Sequence, residues 1–144
     1  MGRLRSRLNL ASRTRARLVE LSGRPSVSDV ERDAAIQRFE FSFEAAWKAA
    51  QHYLAERKGI DAASPKAAIR SSLQVGLLSE ADTRLALEMA DDRNLTVHTY
   101  NEDLAKRIFA DLDRHAGLLE RWISAMERRA GWRLRSGALS QAPV

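Results

Sequence analysis

Ser28-Asp29-Val30-Glu31-Arg32-Asp33-Ala34-Ala35-Ile36-Gln37-Arg38-Phe39-Glu40-Phe41-Ser42-Phe43-Glu44-Ala45-Ala46-Trp47-Lys48, running on to Leu54 and Gly59, is the stretch that decides the fold. Its opening four residues read as a capping box, in which Ser28 and Glu31 satisfy each other's orphan backbone donors. Beyond it Ile36, Phe39, Phe43, Ala46, Trp47, Ala50 and Leu54 recur at steps of three and four, which is one face of a helix. A strand would need alternation, and there is none. Gly59 supplies a left-handed terminator and Ile60 the apolar contact beyond it. A helix over 28–58 follows.

The rest of the chain reads in the same way. Leu4, Leu8, Ala11, Leu18 and Leu21 form a broken apolar stripe, predicting a helix over about 3–22 that stops at Gly23-Arg24-Pro25-Ser26. Ser64-Pro65 opens a short third helix ending at Gly76, with Ala68, Ile69 and Leu73 as its inner face. Ser79-Glu80-Ala81-Asp82 starts a fourth, with Leu85 and Met89 facing in. Asn101-Glu102-Asp103 reads as the cap and acidic first turn of a fifth. Leu104, Ile108, Leu112, Leu119, Trp122 and Met126 carry that helix to about 129. The expected architecture is an all-α, up-and-down bundle of about five helices, with 28–58 and 102–129 as its main packing pair. It forms a single domain over 1–130, followed by a flexible basic tail over 131–144. Phe41 and Trp132 fit no core stripe and suggest a subunit interface.

Composition narrows the function classes. At 144 residues the chain has room for one real core. It has no cysteine, hence no disulfide framework or thiolate metal site, which suits a reducing cytoplasm. No apolar run reaches the ~18 residues of a membrane span, and no signal-peptide core follows the basic start. The net charge of +5 is uneven. Residues 1–27 hold seven Arg against Glu20 alone, a balance of +6, and 128–144 hold four Arg and no acid, +4. The body between them holds 13 basic and 18 acidic residues, −5. Of the 24 basic residues 20 are Arg, whose forked guanidinium suits phosphate oxygens, though a solvated helix face fits the same counts.

The chemistry concentrates in Asp91-Asp92-Arg93-Asn94-Leu95-Thr96-Val97-His98-Thr99-Tyr100. Histidine can take and give a proton near neutrality, and an always-charged Arg can hold a phosphate and its transition-state charge. In RNA the 2′-hydroxyl is the built-in nucleophile, so Arg plus His suffices for cleavage without a metal. The same pair also serves simple nucleotide binding. At about 100° per residue, Arg93 and His98 lie ~140° apart on a straight helix. They converge only if the helix loosens near Asn94 or a second copy of the chain completes the site. Asp91 and Asp92 are candidates to pair with Arg93 at the surface or to steer it. Glu44 and Lys48 make an i,i+4 pair, and Glu40 and Glu44 read as structural or interface residues. His52 and His115 have no ligand-spaced partners, so no metal site and no cofactor are expected.

Arg93-Asn94-x-x-x-His98 resembles the Arg-x4–6-His motif of HEPN domains, and Asp91 to Tyr100 match the fuller form Glu/Asp-Asp-Arg-Asn-Leu-Thr-x-His-x-Tyr. Arg38 to Glu44 with Trp47-Lys48, Gly59-Ile60, Ser64-Pro65 and Gly76-Leu77-Leu78 are similar to the nucleotidyltransferase substrate-binding branch. The resemblance spans about 30–110. It implies a helical homodimer with the Arg and His of both subunits around one cleft. It also implies a metal-independent ribonuclease toxin acting on RNA, with a minimal nucleotidyltransferase as antitoxin partner. Carried over, Arg93 and His98 are the catalytic pair, Asn94 the polar helper, and Tyr100 the site to which AMP is attached. The alternative is a non-catalytic subunit presenting substrate or nucleotide to a partner nucleotidyltransferase. A scaffold binding nucleic acid through its basic ends is a third reading.

Overall fold

The computed structural model describes residues 2–131; the tail expected over 131–144 lies, apart from Gly131, outside the described residues, as does Trp132. Five helices follow one another: α1 (Gly2–Val19), α2 (Asp29–Lys58), α3 (Pro65–Gln74), α4 (Glu80–Leu95) and α5 (Glu102–Arg129). A single 3-10 turn, Thr96–His98, joins α4 to the short link before α5. This is the expected all-α bundle of five helices. No described helix is long and apolar enough to cross a membrane.

The caps read from the sequence hold in detail. The Ser28 hydroxyl accepts from Glu31 N at 3.1 Å, and Ser28 N donates to the Glu31 carboxylate at 2.8 Å. That reciprocal bond helps hold the Glu31 carboxyl below its ordinary pKa. Gly59 takes φ +66, which an L side chain resists, and Ile60 N closes back on Leu54 O at 3.0 Å. Ser64, Ser79 and Asn101 each accept a backbone N–H of the first turn of their helix.

Packing departs from expectation in two places. α2 does lie on α5, but its most extensive contact is with α1. The reason is that α2 buries far more than one stripe: Ser42, Ala45, Ala46, Ala49 and Ala50 are buried as well as Phe39, Phe43 and Trp47. These small side chains let neighbouring helices approach from several directions. In α3 the inner face is Ala68, Ile69 and Ser72, not Leu73, which is 37% exposed. Ser72 takes the inward position because the wholly buried Trp122 donates its indole N–H to the Ser72 hydroxyl at 3.1 Å.

That bond offers a direct check of the α3–α5 contact. Trp122→Phe keeps most of the apolar volume but strands the Ser72 hydroxyl. Urea unfolding should show a loss of about 1–3 kcal/mol, most of it recovered when Ser72→Ala is added.

Candidate functional site

The chain between α4 and α5 carries the polar residues singled out above, and its shape follows from how α4 ends. The α-helix runs through Arg93 and Asn94 to Leu95 and then tightens into the 3-10 turn at Thr96. Thr96 makes the break: its hydroxyl donates to Arg93 O at 2.7 Å and accepts from Arg93 Nη1 at 3.1 Å. Thr99 repeats the bond onto Thr96 O at 3.0 Å, and Asn101 N closes onto His98 O at 3.0 Å. The helix therefore loosens a residue or two beyond Asn94, and Arg93 and His98 fall on either side of the change in pitch.

Within one chain these two side chains do not bond to each other. Arg93, half-buried, points to Thr96 and to the Glu40 carboxylate of α2, 3.8 Å away. His98 is exposed, and its Nδ1 lies 3.4 Å from the Tyr100 hydroxyl, the two rings meeting edge to face with centroids 5.9 Å apart. Tyr100 is 86% exposed, so it is no core residue. It borders an open cleft of about 510 Å³ with Asp33, Gln37, Glu40, Thr96 and Thr99. Asn94 is exposed on a separate hollow of about 290 Å³ beside Phe43, Ser64 and Lys66. The fold thus brings Arg93, His98 and Tyr100 to one link, but of the four only Tyr100 lines the open cleft, and Asn94 lines the separate hollow.

Two acidic neighbours behave differently from their expected roles. Asp91 pairs with Lys66 at 2.6 Å, and neither aspartate pairs with Arg93. Asp92 is only 5% exposed and turns inward to α5. One of its oxygens accepts from Arg107 Nη1 at 2.8 Å and the other lies 2.9 Å from His115 Nε2. A carboxylate only accepts, so Nε2 carries a proton and donates it. His115 Nδ1 is buried with no hydrogen-bond partner among the described residues. The imidazole is wholly buried and stacks on Phe39 with centroids 5.5 Å apart.

His115 therefore does have close acidic neighbours, contrary to the spacing argument. Ligand atoms of Asp92, Asp111 and His115 lie within 4.8 Å of one another. Asp111 stands one helical turn before His115, and Asp92 arrives from α4, which no spacing within α5 reveals. Arg107 already occupies the place of a cation there, donating to Asp92 at 2.8 Å and to Asp111 at 3.0 Å. Those bonds raise the Arg107 pKa above its ordinary value, the Asp92 hydrogen bond foremost. The group is a complete ion-pair network that ties α4 to α5 immediately beside Arg93.

Residues 5–128 match the family described as "Nucleotidyltransferase substrate binding protein like". A curated relative named "Probable ribonuclease HepT", from Haemophilus influenzae, is 32% identical over 91 residues, 60% of this chain and 61% of the relative. The matched stretch is thus less than two thirds of that relative's length. A solved structure from Thermus thermophilus is 53% identical, with a TM-score of 0.80, over 82% of this chain and 99% of that one. A chain in the structure of a mutant toxin-antitoxin MntA-HpeT shares the fold, with a TM-score of 0.74 at 18% identity, over 89% of this chain and 99% of that one.

Removing Asp92 tests the network. Asp92→Ala leaves the buried His115 N–H without an acceptor and Arg107 without its inner partner. It should cost about 2–4 kcal/mol in chemical denaturation. Asp91→Ala, which loses only an exposed ion pair, should cost under ~1 kcal/mol.

Proposed function

Because the chain belongs to the nucleotidyltransferase substrate binding protein-like family, we propose that it is a ribonuclease toxin partnered by a minimal nucleotidyltransferase antitoxin. The observation that carries this reading is the arrangement of the α4–α5 link. Arg93 and His98 sit across a helix-to-3-10 break, with the exposed Tyr100 hydroxyl 3.4 Å from the His98 ring. The name of the H. influenzae relative supports the same reading.

The reaction class is metal-independent RNA cleavage. The substrate's 2′-oxygen attacks the adjacent phosphorus, the bond to the 5′-oxygen breaks, and the products are a 2′,3′-cyclic phosphate and a free 5′-hydroxyl. His98 accepts the proton of the attacking hydroxyl or returns one to the leaving oxygen. Arg93 stabilises the charge that builds on the phosphoryl oxygens. One chain supplies one histidine, so acid and base together call for a homodimer, with His98 of each subunit at a shared cleft. Asn94, at the C-terminal end of α4, acts as a polar helper from its own hollow.

Tyr100 is the control point. Its hydroxyl attacks the α-phosphorus of ATP held by the antitoxin; a Tyr–O–P bond forms and pyrophosphate leaves. The attached AMP puts bulk and negative charge beside His98 and repels an RNA phosphate. The alternative, a non-catalytic nucleotide-binding subunit, uses the same Arg93 for a nucleotide phosphate, and the Glu40 carboxylate 3.8 Å away competes for it under either reading.

Cleavage by purified protein should persist in EDTA and yield 2′,3′-cyclic ends. His98→Ala should lower its rate at least ~100-fold while leaving the circular dichroism spectrum unchanged. Retained cleavage in His98→Ala overturns the His98 assignment; no cleavage by the parent protein, with nucleotide binding lost in Arg93→Ala, favours the binding subunit. Co-expression with the partner gene should add one AMP at Tyr100 by mass spectrometry, and none in Tyr100→Phe.

A further inference from the structure

The Tyr100 cleft is one end of a longer feature. Ala34 and Gln37 line it and also line a second hollow of about 290 Å³, bounded by Arg17, Arg38 and Phe41. Thr14 and Phe41 in turn belong to a third, of about 410 Å³, bounded by Arg7, Leu10 and Lys48. Ala34, Gln37, Phe41 and Lys48 recur at three-, four- and seven-residue steps, so they form one strip along α2. α1 forms the opposite wall with Arg7, Leu10, Thr14 and Arg17. From Ala34 to Lys48 the strip is ~21 Å long at 1.5 Å per residue.

We infer that this groove is a track for single-stranded RNA, delivering it to the Tyr100 cleft. Exposed aromatic rings mark the track, Phe41 at 55% and Tyr100 at 86%, and aromatic faces are what unpaired bases stack on. Its α1 wall belongs to a helix with six arginines and no acid. Arg7, half-buried, lines that wall, where its guanidinium can meet a backbone phosphate. The carboxylates nearby are paired with the groove's own cations, Glu44 with Lys48 at 3.9 Å and Glu20 with Arg17 and Arg38, while Glu40 pairs with Arg93. Arg7 is thus the lining cation with no ion pair among the described residues. Asp33, at the cleft end, has no ion pair among the described residues and opposes the anion there.

Charge also selects against a second copy of the chain as the occupant. A two-fold contact that opposes the two α1 helices sets one Arg-rich wall against another, and like charges across an interface disfavour it. A base-stacked strand at ~3.4 Å per nucleotide fits about six nucleotides along the groove.

The inference rests on the RNA-directed reading above, and its test separates the two. The probe is a ten-nucleotide 2′-O-methyl oligoribonucleotide, which lacks the attacking hydroxyl, followed by fluorescence anisotropy. Phe41→Ala and Arg7→Gln should each weaken binding about tenfold, and Arg7→Gln should lower the salt slope by about one. Asp33→Asn should tighten binding. A blunt duplex of the same sequence should bind more weakly than the single strand and be insensitive to Phe41→Ala. Unchanged single-strand affinity in Phe41→Ala overturns the track. So does sedimentation showing that Phe41→Ala turns a dimer into a monomer, which makes the groove a protein interface. If the parent protein binds the methylated strand through Phe41 yet cleaves no RNA, the ribonuclease reading falls and the track stands.

Discussion

α2 carries buried side chains round most of its circumference, from Ala35 and Phe39 through Ser42, Phe43 and Ala46 to Tyr53 and Leu54. A helix of that kind has no stable solvated state, because too much apolar surface faces outward until neighbours arrive. The bundle is the answer to that constraint. α1 and α5 flank α2 over long contacts, and α3 and α4 cover what remains. Small residues at Ser42, Ala45, Ala46, Ala49 and Ala50 let several helices close on one. What the wrapping leaves open is the narrow strip of Ala34, Gln37 and Phe41, and the groove exists because nothing in the described chain covers it.

The same constraint fixes where polar chemistry can sit. With the middle of the bundle given to packing, the buried Asp92 and His115 sit at the α4–α5 joint, paired with each other and, through Asp92, with the half-exposed Arg107. That network places the last turn of α4 against α5. From the same turn, at the neighbouring residue, Arg93 projects toward α2 and meets Glu40. The link that follows thus starts from a backbone held on two sides, by Asp92 toward α5 and by Arg93 toward α2. Its side chains reach solvent from a stationary base.

Much of this was legible in the sequence, and the boundary falls between local and non-local information. The Ser28–Glu31 box, the Gly59 terminator and the Asn101 cap involve residues a few positions apart, so their chemistry is written locally. So is the clustering of Arg93, His98 and Tyr100 on one link, since they span eight residues. The inward turn of Ser72 could not be read, because its cause is an indole on another helix, fifty residues away. His115 and Asp92 were opaque for the same reason: both sit in helices whose apolar stripes alone say nothing about docking register. Glu40 read as structural because its proximity to Arg93 depends on how α4 crosses α2. His115 falls on the same helical face as Leu112 and Leu119, and that placement was the available hint, since an imidazole buried there needs a polar partner.

The link between α4 and α5 is stapled at both ends, by Thr96 onto Arg93 O and by Asn101 onto His98 O and Leu104 N. It has little slack to take up a different path. A group attached to the outward-facing Tyr100 therefore alters what the segment presents without altering its course. Control of that type needs no second conformation and no hinge. Under the proposed modification of Tyr100, the state would be stored in a single covalent bond and would persist as long as that bond does, whatever the thermal fluctuation of the fold.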